Sequence, residues 1–294
     1  PPLKQWLERD YSSMSSAESM INNVVTRELL SVAILYEALL EKVLLSVPTQ
    51  SERLQLVRER FHYGRPLLHV AARAGNPYSI KTIIDLYPES ECVQALNIQD
   101  EFGWNALHCA VNSNNLESIK LVLGRYPESE RLRAVSMVDK NGCNILHCAA
   151  YSGNHESIKL ILSIYPESEH LRVVKEESYF GKTVLHCVAQ SGKFAFMEHI
   201  LALYPESERL RALNTTSRNG ETVLHCTADS NNAEYIKTVL SLNPESQRLQ
   251  TVHVQDEDGH TVLDRMNETT CDSIMEWLSK SDNSASHQLS VEQS

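Results

Sequence analysis

Glycine returns at one interval along this chain: Gly64, Gly103, Gly142, Gly181, Gly220 and Gly259 each lie 39 residues from the next. A fixed period of this length marks a chain built by stacking one supersecondary unit, each unit burying its apolar face only against its neighbours. Four residues after each glycine stands a leucine, followed by histidine in Leu68-His69, Leu107-His108, Leu146-His147, Leu185-His186 and Leu224-His225, and by aspartate in Leu263-Asp264. A second motif keeps the same period: Tyr87-Pro88-Glu89-Ser90, Tyr126-Pro127-Glu128-Ser129, Tyr165-Pro166-Glu167-Ser168, Tyr204-Pro205-Glu206-Ser207 and Asn243-Pro244-Glu245-Ser246. Two motifs in one register predict a solenoid whose units start near residues 64, 103, 142, 181, 220 and 259.

Within residues 103–141, Phe102-Gly103 lies in a polar turn bounded by Asp100 and Asn105, where glycine tolerates positive φ, and this predicts the tip of a β-hairpin finger. Ala106, Leu107, Ala110 and Val111 recur at helical spacing and predict a helix over 106–112. After Ser113-Asn114-Asn115, Ile119, Val122 and Leu123 restore the pattern in an outer helix over 116–123, antiparallel to the first because the link is short. The Pro-Glu-Ser block predicts a third short helix. Pro127 would take its first position, Glu128 and Glu130 the positive end of its dipole, with Leu132 and Val135 toward the stack and Arg131 and Arg133 outward.

Gly181-Lys182-Thr183-Val184-Leu185-His186-Cys187-Val188-Ala189 and Gly220-Glu221-Thr222-Val223-Leu224-His225-Cys226-Thr227-Ala228 resemble the ankyrin repeat, whose pattern contains Thr-Pro-Leu-His-x-Ala at a period of about 33 residues. The motif proline is replaced by Leu67, Ala106, Ile145, Val184, Val223 or Val262, and the extra length falls in the Pro-Glu-Ser block. The resemblance covers Gly64 to about Leu278 and extends weakly upstream, where Pro48 to Leu54 echoes Pro127 to Leu132. It implies an all-α fold: an ankyrin-repeat solenoid of stacked helix pairs with short β-hairpin fingers, an extra short helix per repeat and an N-terminal helical cap. Residues 1–60 would supply that cap and a degenerate first repeat, with a helix over 17–45. Residues 61–281 would form the array, and 282–294, polar and aperiodic, a disordered tail.

Composition excludes several functions. Lys and Arg number 27 against 38 Asp and Glu, a formal charge of −11 with no basic stripe, so nucleic acid is not expected as a partner. The most apolar stretch, Leu29 to Tyr36, is short and followed by Glu37, Glu41 and Lys42, so no membrane span is expected. No basic segment followed by an apolar run precedes a cleavage site, so no secretory leader is expected. Seven cysteines without a Cys-x-x-Cys pair predict a reducing, cytoplasmic setting.

The pairs His108-Cys109, His147-Cys148, His186-Cys187 and His225-Cys226 tempt a metal or dyad reading. Equivalent positions on stacked helices lie roughly 8–10 Å apart, too far for one tetrahedral zinc or a disulfide. The resemblance makes the histidine a structural hydrogen-bonding residue and the cysteine after it a buried core position. Glu128, Glu167 and Glu206 read as a solvated face stabilised by helix dipoles. The Ser178-Tyr179-Phe180-Gly181-Lys182 run lacks the spacing of a phosphate loop. No catalytic residue, metal site or cofactor is expected.

In an ankyrin-like array the finger tips and the exposed ends of the inner helices line one concave face. Those positions hold Phe102, Trp104 and Asn112; Lys140, Asn141 and Tyr151; Tyr179, Phe180, Lys182 and Gln190; Arg218, Glu221 and Asp229; Glu257, Asp258 and His260. Aromatics gather in the middle units, as they do at interface hot spots. The expected function is a non-catalytic, monomeric protein-binding module, its acidity favouring a partner with a basic segment. The long repeats are similar in style to ankyrin effectors that intracellular bacteria deliver into host cells, which implies a host protein as target and the host cytosol as setting. The alternative is the C-terminal targeting domain of an enzyme whose catalytic domain lies upstream of Pro1.

Overall fold

The computed structural model describes residues 37–193 and 195–291, and the chain divides into two compact units, Pro1–Ala134 and Val135–Ser294. The first unit runs α1 (Glu37–Ser46), α2 (Gln50–Arg58), β1 (Arg60–Phe61), β2 (Arg65–Pro66), α3 (Leu67–Ala74), α4 (Pro77–Ile84), α5 (Glu89–Asn97), α6 (Ala106–Asn112), α7 (Leu116–Gly124) and α8 (Glu128–Val135). The second continues with α9 (Ile145–Ser152), α10 (His155–Leu162), α11 (Glu167–Val174), α12 (Val184–Gln190), α13 (Ala195–Ala202), α14 (Glu206–Leu213), α15 (Val223–Ala228), α16 (Ala233–Ser241), α17 (Glu245–Val252) and α18 (Glu268–Val291). Three helices recur per period: inner (α3, α6, α9, α12, α15), outer (α4, α7, α10, α13, α16) and third (α5, α8, α11, α14, α17). Inner helices pack on inner helices, α3 on α6 in the first unit and α9 on α12 on α15 in the second, and α1 packs on the outer helix α4. The rest of the helix expected over 17–45 lies outside the described residues.

Inner helices are short and small-sided, and Ala106, Leu107, Cys109, Ala110 and Val111 are fully buried. Helices α6, α9 and α15 start at a capping side chain, while α3 follows Pro66, which makes no side-chain cap. The side-chain oxygens of Asn105 and Asn144 accept from the backbone N–H of His108 and His147 at 2.9 and 3.0 Å, and Thr222 caps His225 in the same way. Outer helices begin at Asn76, Asn115, Asn154 and Asn232, whose side chains accept from Ser79, Ser118, Ser157 and Tyr235.

The tyrosine of the Tyr-Pro-Glu-Ser block ties each third helix to the one before it. Tyr87 Oη donates to the Val57 carbonyl (3.2 Å), Tyr126 Oη to Asn97 Oδ1 (2.8 Å) and Tyr204 Oη to the Val174 carbonyl (3.2 Å). The proline stands one residue earlier than expected: Pro88, Pro166, Pro205 and Pro244 cap their helices with extended ψ near 140°. Leu132 also corrects the sequence reading, being 42% exposed, because the buried pair is Ala134 and Val135 at the helix end.

The fingers explain the glycine period. Gly142, Gly181 and Gly220 hold φ of +74°, +71° and +75°, and a Cβ on any of them would meet the next finger's backbone nitrogen, that of Tyr179, Arg218 or Glu257, at 2.8–2.9 Å. Those nitrogens donate across the gap to Asn141, Phe180 and Asn219. Gly259, in the last finger, meets nothing within 4 Å. The expected hairpins are reduced: one finger forms a ladder, Arg60↔Pro66 and Phe61↔Arg65, and three hold a single bridge. In the last repeat a 3-10 turn, Leu263–Arg265, replaces the inner helix, and α18 packs on α16 and α17. Helix α18 overlaps the segment expected to be a disordered tail.

Candidate partner-binding surface

From the second finger onward one polar side chain shapes each finger, three residues before its glycine, whereas Phe61 stands at that place in the first. Asp100 Oδ1 accepts from the backbone N–H of Phe102 and Trp104, both at 2.9 Å. Asp139 accepts from Asn141 and Cys143, and Asp256 from Asp258 and His260, while Ser178 and Ser217 use their hydroxyls. The tip residues are thereby pushed outward on a fixed backbone.

In the first unit the tips carry Tyr63 and Phe102, 56% and 47% exposed, with ring centroids 5.4 Å apart. The Arg65 guanidinium lies 5.3 Å from the Tyr63 centroid and 5.5 Å from that of Phe102. It is held there by Asp100, whose Oδ2 accepts from Arg65 Nε at 2.8 Å. Tyr63 stands at φ 62°, ψ 29°, a left-handed conformation that is strained for a bulky side chain. Trp104 is half-buried, stacked on His108 with the Arg73 guanidinium 5.5 Å from its ring centroid, and Asn112 is half-buried at the end of α6.

In the second unit Tyr151, Tyr179 and Phe180 are more than half exposed, and Lys140, Gln190 and Arg218 are exposed. Lys182 departs from the expectation of an open position. Its Nζ lies 3.0 Å from Glu221 Oε2, and Arg265 holds the other Glu221 oxygen at 2.7 Å and Asp256 at 2.7 Å. Burial alone would raise the Glu221 carboxyl, but Lys182 and Arg265 hold it below its ordinary value. This network locks the last fingers together and leaves Tyr179 and Phe180 as the projecting groups.

Asp256, Asp258 and His260 bring ligand atoms within 4.8 Å of one another. Asp256 is already engaged by Arg265 and two backbone N–H groups, so this arrangement is that of a capped turn. Glu128, Glu167 and Glu206 stand exposed at the starts of α8, α11 and α14. The seven cysteines form no disulfide. Cys109, Cys187 and Cys226 are buried as expected of core positions, whereas Cys148 is only half-buried, a correction to the uniform reading of the His-Cys pairs.

The histidines couple repeats. His69 Nε2 donates to the carbonyls of Ile98 (2.8 Å) and Trp104 (3.1 Å), and His147 Nε2 to those of Glu176 and Lys182. Burial pushes His69 and His186 down to about 4, so both rings are neutral at pH 7. Asp264 takes the same place in the last repeat and accepts from Thr261 N and Oγ1, both at 2.7 Å.

A family model described as Ankyrin repeats (3 copies) matches residues 30–132 and, again, residues 68–171. Residues 30–171 carry ankyrin repeats. No curated protein matches it. The ankyrin pattern of capped inner helix, coupling histidine and finger continues past the matched residues through α15, and the chain folds as an ankyrin-type helical solenoid. Among the described residues no helix is long and apolar enough to cross a membrane. Tyr63, Arg65 and Arg73 were missed by sequence reasoning, which started from Phe102. Tyr63 lies one period before Phe102, so the register itself held the signal.

Proposed function

We propose that this ankyrin array is a non-catalytic module that binds a partner protein with its finger tips and the adjoining ends of its inner helices. Ankyrin repeats are protein–protein interaction modules and are typically non-catalytic, and the match to their family model supports that much. The observation that carries the choice of surface is the set of exposed rings on backbone-braced tips, Tyr63 and Phe102 in the first unit and Tyr179 and Phe180 in the second. Large rings on a rigid support lose little conformational freedom on docking. The contact set is Phe102, Trp104, Asn112, Lys140, Tyr151, Tyr179, Phe180, Gln190 and Arg218, to which Tyr63 is added, with Lys182 acting through its hold on Glu221. The partner is a host protein met in a reducing cytosol, as the similarity in style to delivered effectors implies.

Affinity capture from a eukaryotic lysate, with the partner identified by mass spectrometry, tests the reading. The double variant Phe102→Asn/Tyr179→Asn is run beside it. The partner is expected to be lost in the variant at an unchanged melting temperature, and a partner retained in full by the variant overturns the choice of surface.

A further inference from the structure

We propose that the finger and inner-helix face of the first unit takes an extended acidic segment of the partner, a carboxylate lying on Arg73 and an apolar or aromatic side chain on the Tyr63–Phe102 rings. The proposal rests on the reading of the array as a protein-binding module and names the partner's chemistry at this face.

The negative charge of the chain is unevenly placed. Residues 1–134 hold 14 Lys and Arg against 16 Asp and Glu, while residues 135–294 hold 13 against 22. Against the expectation of no basic stripe, residues 58–73 contain four arginines and the single acid Glu59, and the next finger sets Asp100 and Glu101 beside them. A partner segment senses charge within about one Debye length, roughly 8–10 Å, so the guanidiniums left without a carboxylate at this face decide what docks here.

Two of the four arginines are neutralised, Arg58 by Glu91 and Arg65 by Asp100. Arg60 donates to the carbonyls of Gly64 (2.9 Å) and Gln99 (3.4 Å). Arg73, exposed in the last turn of α3, lies over the Trp104 ring. Among the described residues neither Arg60 nor Arg73 has a carboxylate within ion-pair distance. A guanidinium packed over an indole keeps its in-plane N–H groups directed outward, the geometry that accepts a carboxylate in a two-pronged bond.

The rings beside it are pre-set. Asp100, whose side chain is fully buried, holds Arg65, and Arg65 holds both rings. Tyr63 and Gly64 both take positive φ, 62° and 68°, in the tight turn that closes the Arg60↔Pro66 ladder, and this turn fixes the Tyr63 ring at the tip. Cation and rings together fit a segment that alternates acidic and apolar residues.

The full chain is probed on an array of random peptides sorted by net charge, in parallel with Arg73→Glu and with Tyr63→Asn/Phe102→Asn, all checked for a melting temperature no lower than that of the wild type. Peptides retained by the wild type are expected to be rich in Glu, Asp and apolar residues. Arg73→Glu is expected to weaken them at least about tenfold, and the ring variant to abolish retention. Basic or neutral peptides bound equally by Arg73→Glu would overturn the acidic partner while leaving a protein-binding face. Displacement of the peptides by single-stranded DNA of similar length would overturn the partner class. Retention of no peptide of any charge would overturn both this proposal and the protein-binding reading of the face.

Discussion

His147 Nε2 donates to the carbonyl of Lys182, 35 residues ahead, at 3.2 Å. The same reach joins His69 to Trp104, His186 to Glu221 and His225 to His260. The inner helices α3, α9, α12 and α15 thus each hold the base of the following finger through one neutral imidazole.

That coupling makes the array acid-sensitive. Unfolded histidines take up a proton below about pH 6.5, whereas His69 and His186 resist it until about 4, so the unfolded state binds more protons throughout that window. Stability is full above pH 6.5 and falls as pH drops toward 4. Near pH 5 each of the two costs about 2 kcal/mol, read as a lower urea midpoint at pH 5 than at pH 7. An unchanged midpoint would place these rings in water.

Tyr63→Asn is expected to stabilise the chain by about 1 kcal/mol, because asparagine tolerates the left-handed conformation that tyrosine adopts under strain. It is expected to weaken partner capture at the same time. Chemical denaturation and capture on the same sample separate the two effects, and a loss of stability in Tyr63→Asn would mean that the ring is a packing element.

Tyr126→Phe removes the bond to Asn97 Oδ1 while keeping the buried ring, and is expected to cost about 1 kcal/mol. Tyr126→Ala leaves a cavity and is expected to cost about 3–5 kcal/mol. Unchanged stability in Tyr126→Phe would deny the hydroxyl its role in linking third helices.

Cysteine substitutions should divide by burial. Cys109→Ser places a hydroxyl in a fully buried site and is expected to cost about 1–3 kcal/mol, while Cys148→Ser, at a half-buried position, is expected to stay within about 0.5 kcal/mol. Burial pushes the thiols of Cys109 and Cys226 up to about 12, so native alkylation at mild alkaline pH should spare both, and their rapid labelling would contradict the packing.

The repeat, the helix boundaries of residues 106–123 and the structural role of the histidines were legible because each is dictated locally, by apolar spacing and by a residue type that recurs at one period. What a third helix buries was not. Leu132 and Val135 share a helical face, yet burial there is set by the neighbouring helix, which takes Ala134 and Val135. Lys182 has the composition of a binding position, and only the arrival of Glu221 and Arg265 from later in the chain converts it into a brace. Tyr63 lay in register but outside the stretch first matched to the repeat.

The most direct test is hydrogen–deuterium exchange of the full chain, free and saturated with the captured partner. Protection is expected to gather in peptides covering residues 60–66, 100–104 and 178–182, with the third helices α8, α11 and α14 unchanged. Protection confined to those third helices, with the fingers exchanging as they do in the free chain, would contradict the account.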